Sequence, residues 1–289
     1  MAPLGIIGLG LVGNAIAERL LAAGHDVVGC DIAAQRNAEF TAIGGRACTI
    51  PAEVFEASDF VVLSLPTSDV VEGLLRSLTE NLSGKTIVDT TTGEPEAMER
   101  IGKSFAQRNA DYLVATIAGS STQVRRGEVI VMTGGAGDVA ARVDGLLQSF
   151  SRQRFHVGAW SAAARMKLVV NLVLGLNRAV LAEGLAFAKA CGIDPRKALE
   201  VLQAGPAFSR VMESKGERMV TGNFAPEARL AQHAKDVRLI LEQGEEFGAR
   251  LPLSELHSQL LSELIAQGWG EQDNSAIWHA FDAPPKEPW

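Results

Sequence analysis

The sequence predicts an α/β protein in two parts, a doubly wound parallel sheet followed by an all-helical half that one long helix joins to it. Short apolar runs alternate with amphipathic segments as far as Gly158, after which strand patterns stop. An apolar helical run then begins at Trp160. A chain of 289 residues also exceeds the usual size of one domain. We therefore expect one domain over residues 1–159 and a second over residues 160–289.

The first predicted strand leads into a glycine-rich turn that opens a helix. Residues 3–7 form a short apolar run typical of a buried parallel strand. In the turn that follows, Gly8 permits tight bending, Gly10 lets the backbone approach a pyrophosphate, and Gly13 lets the helix lie close to the sheet. This Rossmann-like pattern predicts dinucleotide binding. The turn residues expected to bind the cofactor are Gly8, Leu9, Gly10, Leu11, Val12 and Gly13.

The acid that ends the second strand bears on the choice of cofactor. This strand covers residues 26–30 and is followed by Asp31. A carboxylate here can accept hydrogen bonds from both ribose hydroxyls and repels a 2′-phosphate. NAD is therefore favoured, with NADP as the alternative because Arg36, one turn beyond, partly offsets that charge.

Later strands place further polar turns at the carboxyl edge of the sheet, where ligands bind in such folds. Two of these turns follow the strands at 60–65 and 86–89. A long polar loop over residues 116–127 exposes backbone N–H groups and hydroxyls suited to a carboxylate, and a solvated hairpin connection is the alternative. The remaining strands are predicted at 112–115, 129–132 and 155–157.

The long helical run carries two polar residues on one face. Lys167 and Asn171 are four residues apart, so their side chains project from the same side of the helix. Charged residues interrupt the run, and we therefore expect a buried helix instead of a membrane span. Further helices are predicted at 195–203, 209–220, 229–247, 253–266 and 275–279, before an irregular tail at 282–288.

Composition argues against several classes of function. A net charge of −7 without any basic block disfavours binding to nucleic acid or to anionic membranes. The cysteines, Cys30, Cys48 and Cys191, are far apart and indicate neither disulfides nor zinc. No targeting segment is evident at the N-terminus, so a cytoplasmic location is expected. No metal-ligand spacing relates the histidines, and only His233, close to Lys235, is kept as a reserve candidate.

Motifs along essentially the whole chain resemble the β-hydroxyacid dehydrogenases, the family of 3-hydroxyisobutyrate dehydrogenase. Each motif is loose alone, but their order and spacing together are specific. The carriers are residues 8–13, Leu65-Pro66-Thr67-Ser68, residues 89–95, Ala118-Gly119-Ser120 before Gly127, Lys167 with Asn171, residues 223–226, Lys235-Asp236 and residues 273–276.

The resemblance implies roles for individual residues. Lys167 would be the catalytic general acid/base, and Asn171 would hold the substrate. If burial lowers the pKa of this lysine toward neutrality, its amine can take the hydroxyl proton while hydride moves to the nicotinamide. The family also implies homodimers or homotetramers. The substrate's acid group would be bound by Ala118, Gly119 and Ser120, and further cofactor contacts would come from Leu65, Pro66, Thr67, Thr92 and Lys235.

The chain departs from the family pattern in the predicted substrate loop. The usual Asp-Ala-Pro-Val-Ser-Gly is replaced by residues 114–119, in which Ala118 stands where the family has serine. Ser120, Ser121 or Thr122 are candidates to replace that hydroxyl. We therefore expect a small, anionic β-hydroxy acid and its semialdehyde or keto acid as substrates, without naming 3-hydroxyisobutyrate. Reduction of an imine or another carbonyl, or noncatalytic dinucleotide binding, are the alternatives.

Overall fold

A computed structural model describes residues 2–282. Apart from Asp282, the tail predicted at 282–288 lies outside these residues. The chain forms two compact units that divide between Lys167 and Leu168, called here the sheet unit and the helical unit.

The sheet unit contains one sheet, whose described strands follow the order β3-β2-β1-β4-β5-β6-β7-β8. Neighbouring strands are parallel except β6 and β7, which are antiparallel. The chain order reverses beside β1, whose two neighbours are β2 and β4, and such a switch point is where these sheets bind ligands. The strands are β1 Leu4–Ile7, β2 Val27–Cys30, β3 Arg46–Ala47, β4 Phe60–Leu63, β5 Thr86–Asp89, β6 Asp111–Ala118, β7 Val129–Gly135 and β8 Ser151–His156.

Helices of the sheet unit pack on both faces of the sheet because its strands are apolar on both sides. Ile6 and Val62 belong to one apolar cluster, whereas their chain neighbours Ile7 and Leu63 belong to another. This alternation matches the period of two along a strand. The helices are α1 Leu11–Ala22, α2 Ala34–Ala42, α3 Pro51–Ala57, α4 Ser68–Ser77, α5 Pro95–Gln107, α6 Ser121–Arg125 and α7 Gly137–Gln148.

Strand β6 extends beyond the carboxyl edge of its parallel neighbours. Asp89 at the end of β5 pairs with Val114, yet β6 continues to Ala118. These four extra residues span about 13 Å at the usual rise of a strand. They pair only with β7, in a register that ends at Ala118 and Ile130. The end of β6 therefore stands over the edge where the glycine turn lies.

The sequence prediction for the sheet unit was wrong at three places. Residues 116–118 belong to β6 instead of a loop, because Thr116 and Ile117 are buried and pair with β7. The remainder of the predicted loop contains α6, which Ser120 and Gln123 begin with a capping box. Strand β8 starts at Ser151, four residues earlier than predicted, and β3 was not predicted at all. Both are edge strands with polar residues, so they lack the apolar pattern of a buried strand.

The helical unit follows the sequence prediction closely. Its predicted helices lie within a few residues of the observed ones, and their apolar faces form a core that includes Leu185, Leu230 and Leu261. The helices are α8 Trp160–Ala190, which begins in the sheet unit, α9 Pro195–Ala204, a π-helical segment Met212–Gly216 running into α10 Glu217–Thr221, α11 Leu230–Glu246, α12 Pro252–Ala266, and 3-10 segments Trp269–Glu271 and Asn274–Ala280.

Helix α8 is the one described helix that is long and apolar enough to cross a membrane by length and composition. The core helix of a protein outside membranes passes the same test, so this finding is weak evidence for a span. The expectation that α8 is not a membrane span stays a prediction.

Candidate active site

The glycine turn after β1 is shaped by two glycines whose side-chain positions are blocked. Gly8 has a φ of +92°, and a Cβ there would lie 2.3 Å from the carbonyl oxygen of Ser64. A Cβ on Gly13 would lie 1.9 Å from the carbonyl oxygen of Gly8. At Gly10, by contrast, a Cβ would meet nothing within 4 Å. The fold itself requires glycine at positions 8 and 13. At position 10 the missing side chain leaves space in which a pyrophosphate can approach the protein backbone.

The N-terminus of α1 has the features of an anion-binding helix end. No side chain caps it, and its first turn holds no acidic residue. Leu11 and Val12 begin this helix, so their N–H groups precede the first intrahelical acceptors. Leu9 is different, because its side chain is fully buried and its N–H group is already bonded to Asp31. Of the predicted turn residues, Leu11 and Val12 therefore offer the N–H donors for a phosphate.

Asp31 is fixed at the end of β2 by backbone donors. Its Oδ2 accepts a hydrogen bond from Leu9 N at 2.7 Å and its Oδ1 one from Ala33 N at 2.9 Å. Each carboxylate oxygen keeps a further lone pair for a ribose hydroxyl. Arg36, which was expected to offset this charge, forms an ion pair with Glu39 at 2.8 Å.

The turns after β4 and β5 are tied to the glycine turn and to each other. Ser64 N donates to Ile7 O at 2.9 Å, beside Gly8. Leu65 N donates to Thr91 Oγ1 at 3.2 Å, which joins the two later turns. Thr67 caps α4 by accepting a hydrogen bond from Val70 N, whereas Pro66 is exposed and Thr92 is half-buried. The structure thus brings the predicted residues 65–67 and Thr92 to the same edge as the glycine turn.

A buried acid supports the turn after β5. Asp89 is fully buried and accepts hydrogen bonds from Thr91 N at 2.9 Å and from the Tyr112 hydroxyl at 2.6 Å. Burial raises the pKa of this carboxyl, against the lowering effect of hydrogen bonds from Thr91 and Tyr112. Burial likewise raises the pKa of Tyr112 well above its usual value. The Asp89–Tyr112 pair fixes Thr91, which in turn holds Leu65.

Lys167 reaches the extended end of β6. Its Nζ donates to Ile117 O at 2.6 Å, three residues beyond the point where β5 ends its pairing with β6. The first turns of α8 pack on the sheet, where Trp160 Nε1 donates to Tyr112 O at 2.7 Å and Ala163 is buried in the core. The amine therefore lies at the carboxyl edge of the sheet and is half-buried there.

The predicted substrate loop is shorter than the sequence suggested. Ala118 ends β6, Gly119 follows with a φ of +152°, and Ser120 caps α6. Ser120 N donates to Gln123 Oε1 at 2.8 Å, and Ser120 Oγ accepts from Gln123 N at 3.3 Å. Its backbone donor is thereby occupied, and its hydroxyl keeps only its proton to offer. Ser121 and Thr122 stand in the first turn of α6.

In the helical unit, Asn171 is oriented by a buried acid. Asn171 Nδ2 donates to Asp236 Oδ2 at 2.9 Å, and Asp236 is 9% exposed. Lys235 immediately precedes Asp236 in α11 and is half-buried. His233, the reserve candidate, is buried beside His257, with 5.2 Å between ring centroids. Burial, the Arg178 charge and the His257 charge lower the pKa of His233 well below its ordinary value, which makes it a neutral core residue.

Comparisons with known proteins match both halves of the chain. Residues 3–158 match the family model of the NAD binding domain of 6-phosphogluconate dehydrogenase, and residues 161–281 match that described as NAD-binding of NADP-dependent 3-hydroxyisobutyrate dehydrogenase. The chain is 31% identical to 2-(hydroxymethyl)glutarate dehydrogenase of Eubacterium barkeri over 279 residues, which cover 95% of this chain and 93% of that protein. The chain belongs to the β-hydroxyacid dehydrogenase family.

Two further similarities agree with this family. 2-Hydroxy-3-oxopropionate reductase of Escherichia coli K12 is 31% identical over 283 residues, covering 96% of this chain and 97% of the relative. The crystal structure of 3-hydroxyisobutyrate dehydrogenase from Salmonella typhimurium superposes with a TM-score of 0.89 at 23% identity, covering 97% of this chain and all of that one. At that identity the superposition shows the fold alone.

Membership of the β-hydroxyacid dehydrogenases makes the protein an NAD(P)-dependent oxidoreductase that acts on the CH–OH group of a small molecule. Sequence reasoning missed three contributors to the site. Thr91 and Asp236 stand next to predicted residues in the quoted motifs, so their motifs pointed to them. The third, the Ile117 carbonyl, carries no sequence signal because any residue supplies a carbonyl.

Proposed function

We propose that the protein interconverts a small β-hydroxy acid with its semialdehyde or keto acid, with Lys167 as the general acid/base. The observation that supports this most directly is the 2.6 Å hydrogen bond from Lys167 Nζ to Ile117 O. That bond holds a titratable amine at the sheet edge that also carries the glycine turn and Asp31. When bound, the nicotinamide accepts or delivers the hydride.

The Ile117 carbonyl suits both protonation states of Lys167. In the oxidation direction the neutral amine has two N–H donors and one lone pair. One donor stays on Ile117 O while the lone pair takes the proton from the substrate hydroxyl. In the reduction direction the ammonium keeps that bond and donates another of its protons to the carbonyl oxygen. The hydrogen bond to Ile117 O therefore orients the Lys167 amine in both directions of the reaction.

We assign Asn171 to the substrate as a neutral hydrogen-bond donor. It follows Lys167 by one turn of α8. One of its two amide hydrogens is bonded to Asp236, so the second is left for the substrate. We assign the substrate's acid group to the end of β6, at Ala118, Gly119 and Ser120, because Gly119 and Ser120 are exposed there.

The class of substrate is supported by the two relatives that are each 31% identical to this chain. Their names describe a hydroxymethyl-substituted dicarboxylic acid and a hydroxy-oxo acid. Both combine an acid group with a carbon at the alcohol or aldehyde level. A panel of such acids and aldehydes, with imines as a separate arm, can be read by nicotinamide absorbance. Turnover of imines alone would support the reductase alternative, and cofactor binding without any turnover would support a noncatalytic protein.

Replacement of Lys167 tests the proposed chemistry. Removal of a general acid–base group typically lowers turnover by about 10²–10⁴-fold. We expect a loss in this range for Lys167→Ala, with cofactor affinity retained. Lys85→Ala is the matched control, because Lys85 Nζ also donates to a carbonyl in the sheet unit, that of Ser58 at 2.9 Å. Near-normal kcat in Lys167→Ala would refute the assignment.

The proposed cofactor is NAD, with NADP used less well. Asp31 supports this choice because its charge stands at the ribose end of β2 and Arg36 is paired with Glu39. We expect kcat/KM to favour NAD by about fivefold or more, since one pair of like charges costs on the order of 1 kcal/mol or more at partly buried sites. Asp31→Asn should reduce this preference. Equal use of NADP by the unchanged protein would overturn it.

Substitutions at Gly10 and Gly13 distinguish an effect on cofactor binding from an effect on folding. Gly10→Ala adds a methyl group where nothing lies within 4 Å, so the protein should fold normally and lose dinucleotide affinity. Gly13→Ala places a methyl group against Gly8 O and should lower stability as well. Calorimetric titration with NAD, together with thermal unfolding, distinguishes the two effects. Unchanged NAD affinity in Gly10→Ala would place the cofactor elsewhere. A Gly13→Ala variant as stable as the unchanged protein would contradict the steric role assigned to Gly13.

A homodimer or homotetramer and a cytoplasmic location complete the proposal. Exposed apolar side chains recur along α8 at Val169, Val173, Val180 and Phe187, at spacings of four and seven residues. Such spacing suits pairing with the same helix of a second copy. Light scattering should give a mass above the 30.7 kDa of one chain, and Val180→Glu should lower it. A monomeric unchanged protein would refute the assembly.

A further inference from the structure

Thr116 is a buried hydroxyl beside the turn of α8 that carries Lys167. It lies in β6 and is 0% exposed. Its Oγ1 donates to Ala163 O at 3.2 Å and to Met132 O at 3.4 Å. A hydroxyl has one proton, so these contacts form one shared bond that links β6 to both α8 and β7.

The Ala163 carbonyl belongs to the same turn as Lys167. In an α-helix the carbonyl of one residue accepts the N–H of the residue four positions later, and Lys167 is four positions after Ala163. Thr116 therefore bonds the backbone group that supports Lys167 itself. The next residue, Ile117, supplies the carbonyl that receives Lys167 Nζ. Thr116 and Ile117, which are consecutive in β6, thus fix the backbone and the terminal amine of Lys167, respectively.

The contacts between α8 and β6 lie along one helix face. Trp160, Ala163 and Lys167 are spaced by three and four residues, so they project from the same side of α8. Their partners on β6 are Tyr112 O, Thr116 Oγ1 and Ile117 O. Only the Thr116 bond comes from a β6 side chain, so it alone can be removed by substitution on the strand.

We propose that Thr116 is a positioning residue that sets the placement of the Lys167 amine through the Ala163 carbonyl. This inference rests on the proposed role of Lys167. The proposal requires the hydroxyl of Thr116 for full activity, and a side chain of the same branched shape without the hydroxyl should not be sufficient. Thr116→Val keeps the shape and removes the donor, whereas Thr116→Ser keeps the donor.

Steady-state kinetics give the first test. Displacement of a catalytic group by about an ångström can cost up to roughly 10²-fold. We expect Thr116→Val to lower kcat about tenfold with KM for substrate and NAD within about twofold, because the lysine acts in the chemical step. Thr116→Ser should return kcat to within about threefold of the unchanged protein.

Thr133→Val is the matched control. Thr133 is also a buried threonine of the same sheet, and its Oγ1 contacts β8 instead of α8, at 3.5 Å from Phe155 O and 3.3 Å from His156 Nδ1. The same substitution there should leave kcat within about twofold. An equal loss in both variants would show a general effect of a lost buried hydroxyl and would overturn the proposal.

Chemical labelling supplies a readout that does not depend on turnover. Acetylation of the Lys167 amine by a trace of acetic anhydride, quantified by peptide mass spectrometry, measures its reactivity in the folded protein. We expect Thr116→Val to change this rate by threefold or more and Thr133→Val to leave it unchanged. An unchanged rate and kcat in Thr116→Val would overturn the positioning role.

The two levels of failure can be separated. If Lys167→Ala keeps full turnover, the proposed general acid/base is wrong, yet a changed labelling rate in Thr116→Val would still show that Thr116 places the amine. If Lys167→Ala is inactive and Thr116→Val keeps full kcat, Lys167 stands and the positioning role of Thr116 is refuted. Failure of Thr116→Ser to restore kcat would also refute it, because the hydroxyl would not be the cause.

Discussion

The two units of this protein bury different kinds of polar group. Buried polar side chains of the sheet unit are mostly neutral hydroxyls, with Asp89 as the exception. Those of the helical unit are mostly charged or titratable. They are Arg178, Lys215, His233, Asp236, His257 and Asp273.

The difference follows from how each unit fixes its loops. In the sheet unit the strand ladder brings the glycine turn and residues 65–67 to the same edge, and Asp89 is the buried acid that supports the turn after β5. Helices have no such ladder. In the helical unit the fully buried carboxylate of Asp273 accepts bonds from Lys215 Nζ, from Ser275 and from the backbone N–H groups of Glu227 and Ala228. One charge thereby holds two loop segments in place.

Removing that charge should have the largest effect on stability. In Asp273→Asn the buried ammonium of Lys215 would lose its nearer carboxylate, now at 2.8 Å, and keep the exposed carboxylate of Glu227 at 3.5 Å. Breaking a buried ion pair by removing one partner costs about 3–5 kcal/mol. We expect a loss of this size in the free energy of unfolding, measured by urea denaturation. The loss should appear in hydrogen exchange of α11 and the segment Asn274–Ala280 before it reaches β1.

The control is an ion pair of the sheet unit that faces solvent. Arg154 and Asp144 contact each other at 2.6 Å, and Asp144 is half exposed. Exposed pairs contribute about 0–1 kcal/mol, so Asp144→Asn should be nearly neutral. If Asp273→Asn and Asp144→Asn lowered the free energy of unfolding equally, the buried charge would not be what holds the loops of the helical unit.

Mild acid should destabilise the helical unit next. Burial and the Arg178 charge lower the pKa of His257 to about 4, and burial together with the Arg178 and His257 charges lowers the pKa of His233 well below its ordinary value. Unfolding restores an ordinary pKa near 6.5, so the unfolded chain binds more protons below that pH. The stabilisation is therefore fully present above pH 6.5 and is lost as the pH falls toward 4. From pH 7 to pH 5 the loss should be about 2 kcal/mol per histidine.

Urea denaturation at several pH values measures this loss. His257→Gln removes one of the histidines of the helical unit whose pKa is lowered, so it should reduce the slope between pH 6.5 and pH 5. A slope that persists in His257→Gln would assign the acid sensitivity to other groups.

Local pattern explains what could be predicted from the sequence. The β1-turn-α1-β2 segment and the helices after Gly158 depend on periodicity and glycine placement within short windows, and the structure has them. The end of β6 was misassigned because Thr116 is polar, although its pairing with β7 buries it. Its hydroxyl bonds a carbonyl 47 residues away, which no local pattern encodes. The role of Asp273 as a shared acceptor was hidden for the same reason.

The smallest predicted effect on stability concerns Asp89, the buried acid of the sheet unit. Tyr112 is the single tyrosine of the chain and donates to Asp89 at 2.6 Å. Hydrogen bonds to charged groups contribute about 1.5–3 kcal/mol, so Tyr112→Phe should lower the free energy of unfolding by about that amount. A double-mutant cycle with Asp89→Asn should show coupling, because one change removes the donor of this bond and the other replaces its carboxylate acceptor with a neutral amide.

The pKa of Tyr112 gives an independent check in the unchanged protein. Because burial and then the Asp89 charge raise this pKa, the folded state keeps the phenol protonated above pH 10, where an unfolded chain ionises. The tyrosinate absorbance band should therefore appear only together with unfolding. The stabilisation is complete below pH 10 and is lost as the pH rises toward the raised pKa. Ionisation of Tyr112 near pH 10 with the fold intact would mean that the hydroxyl is accessible, and Asp89 would then not be the isolated buried acid that sets the sheet unit apart.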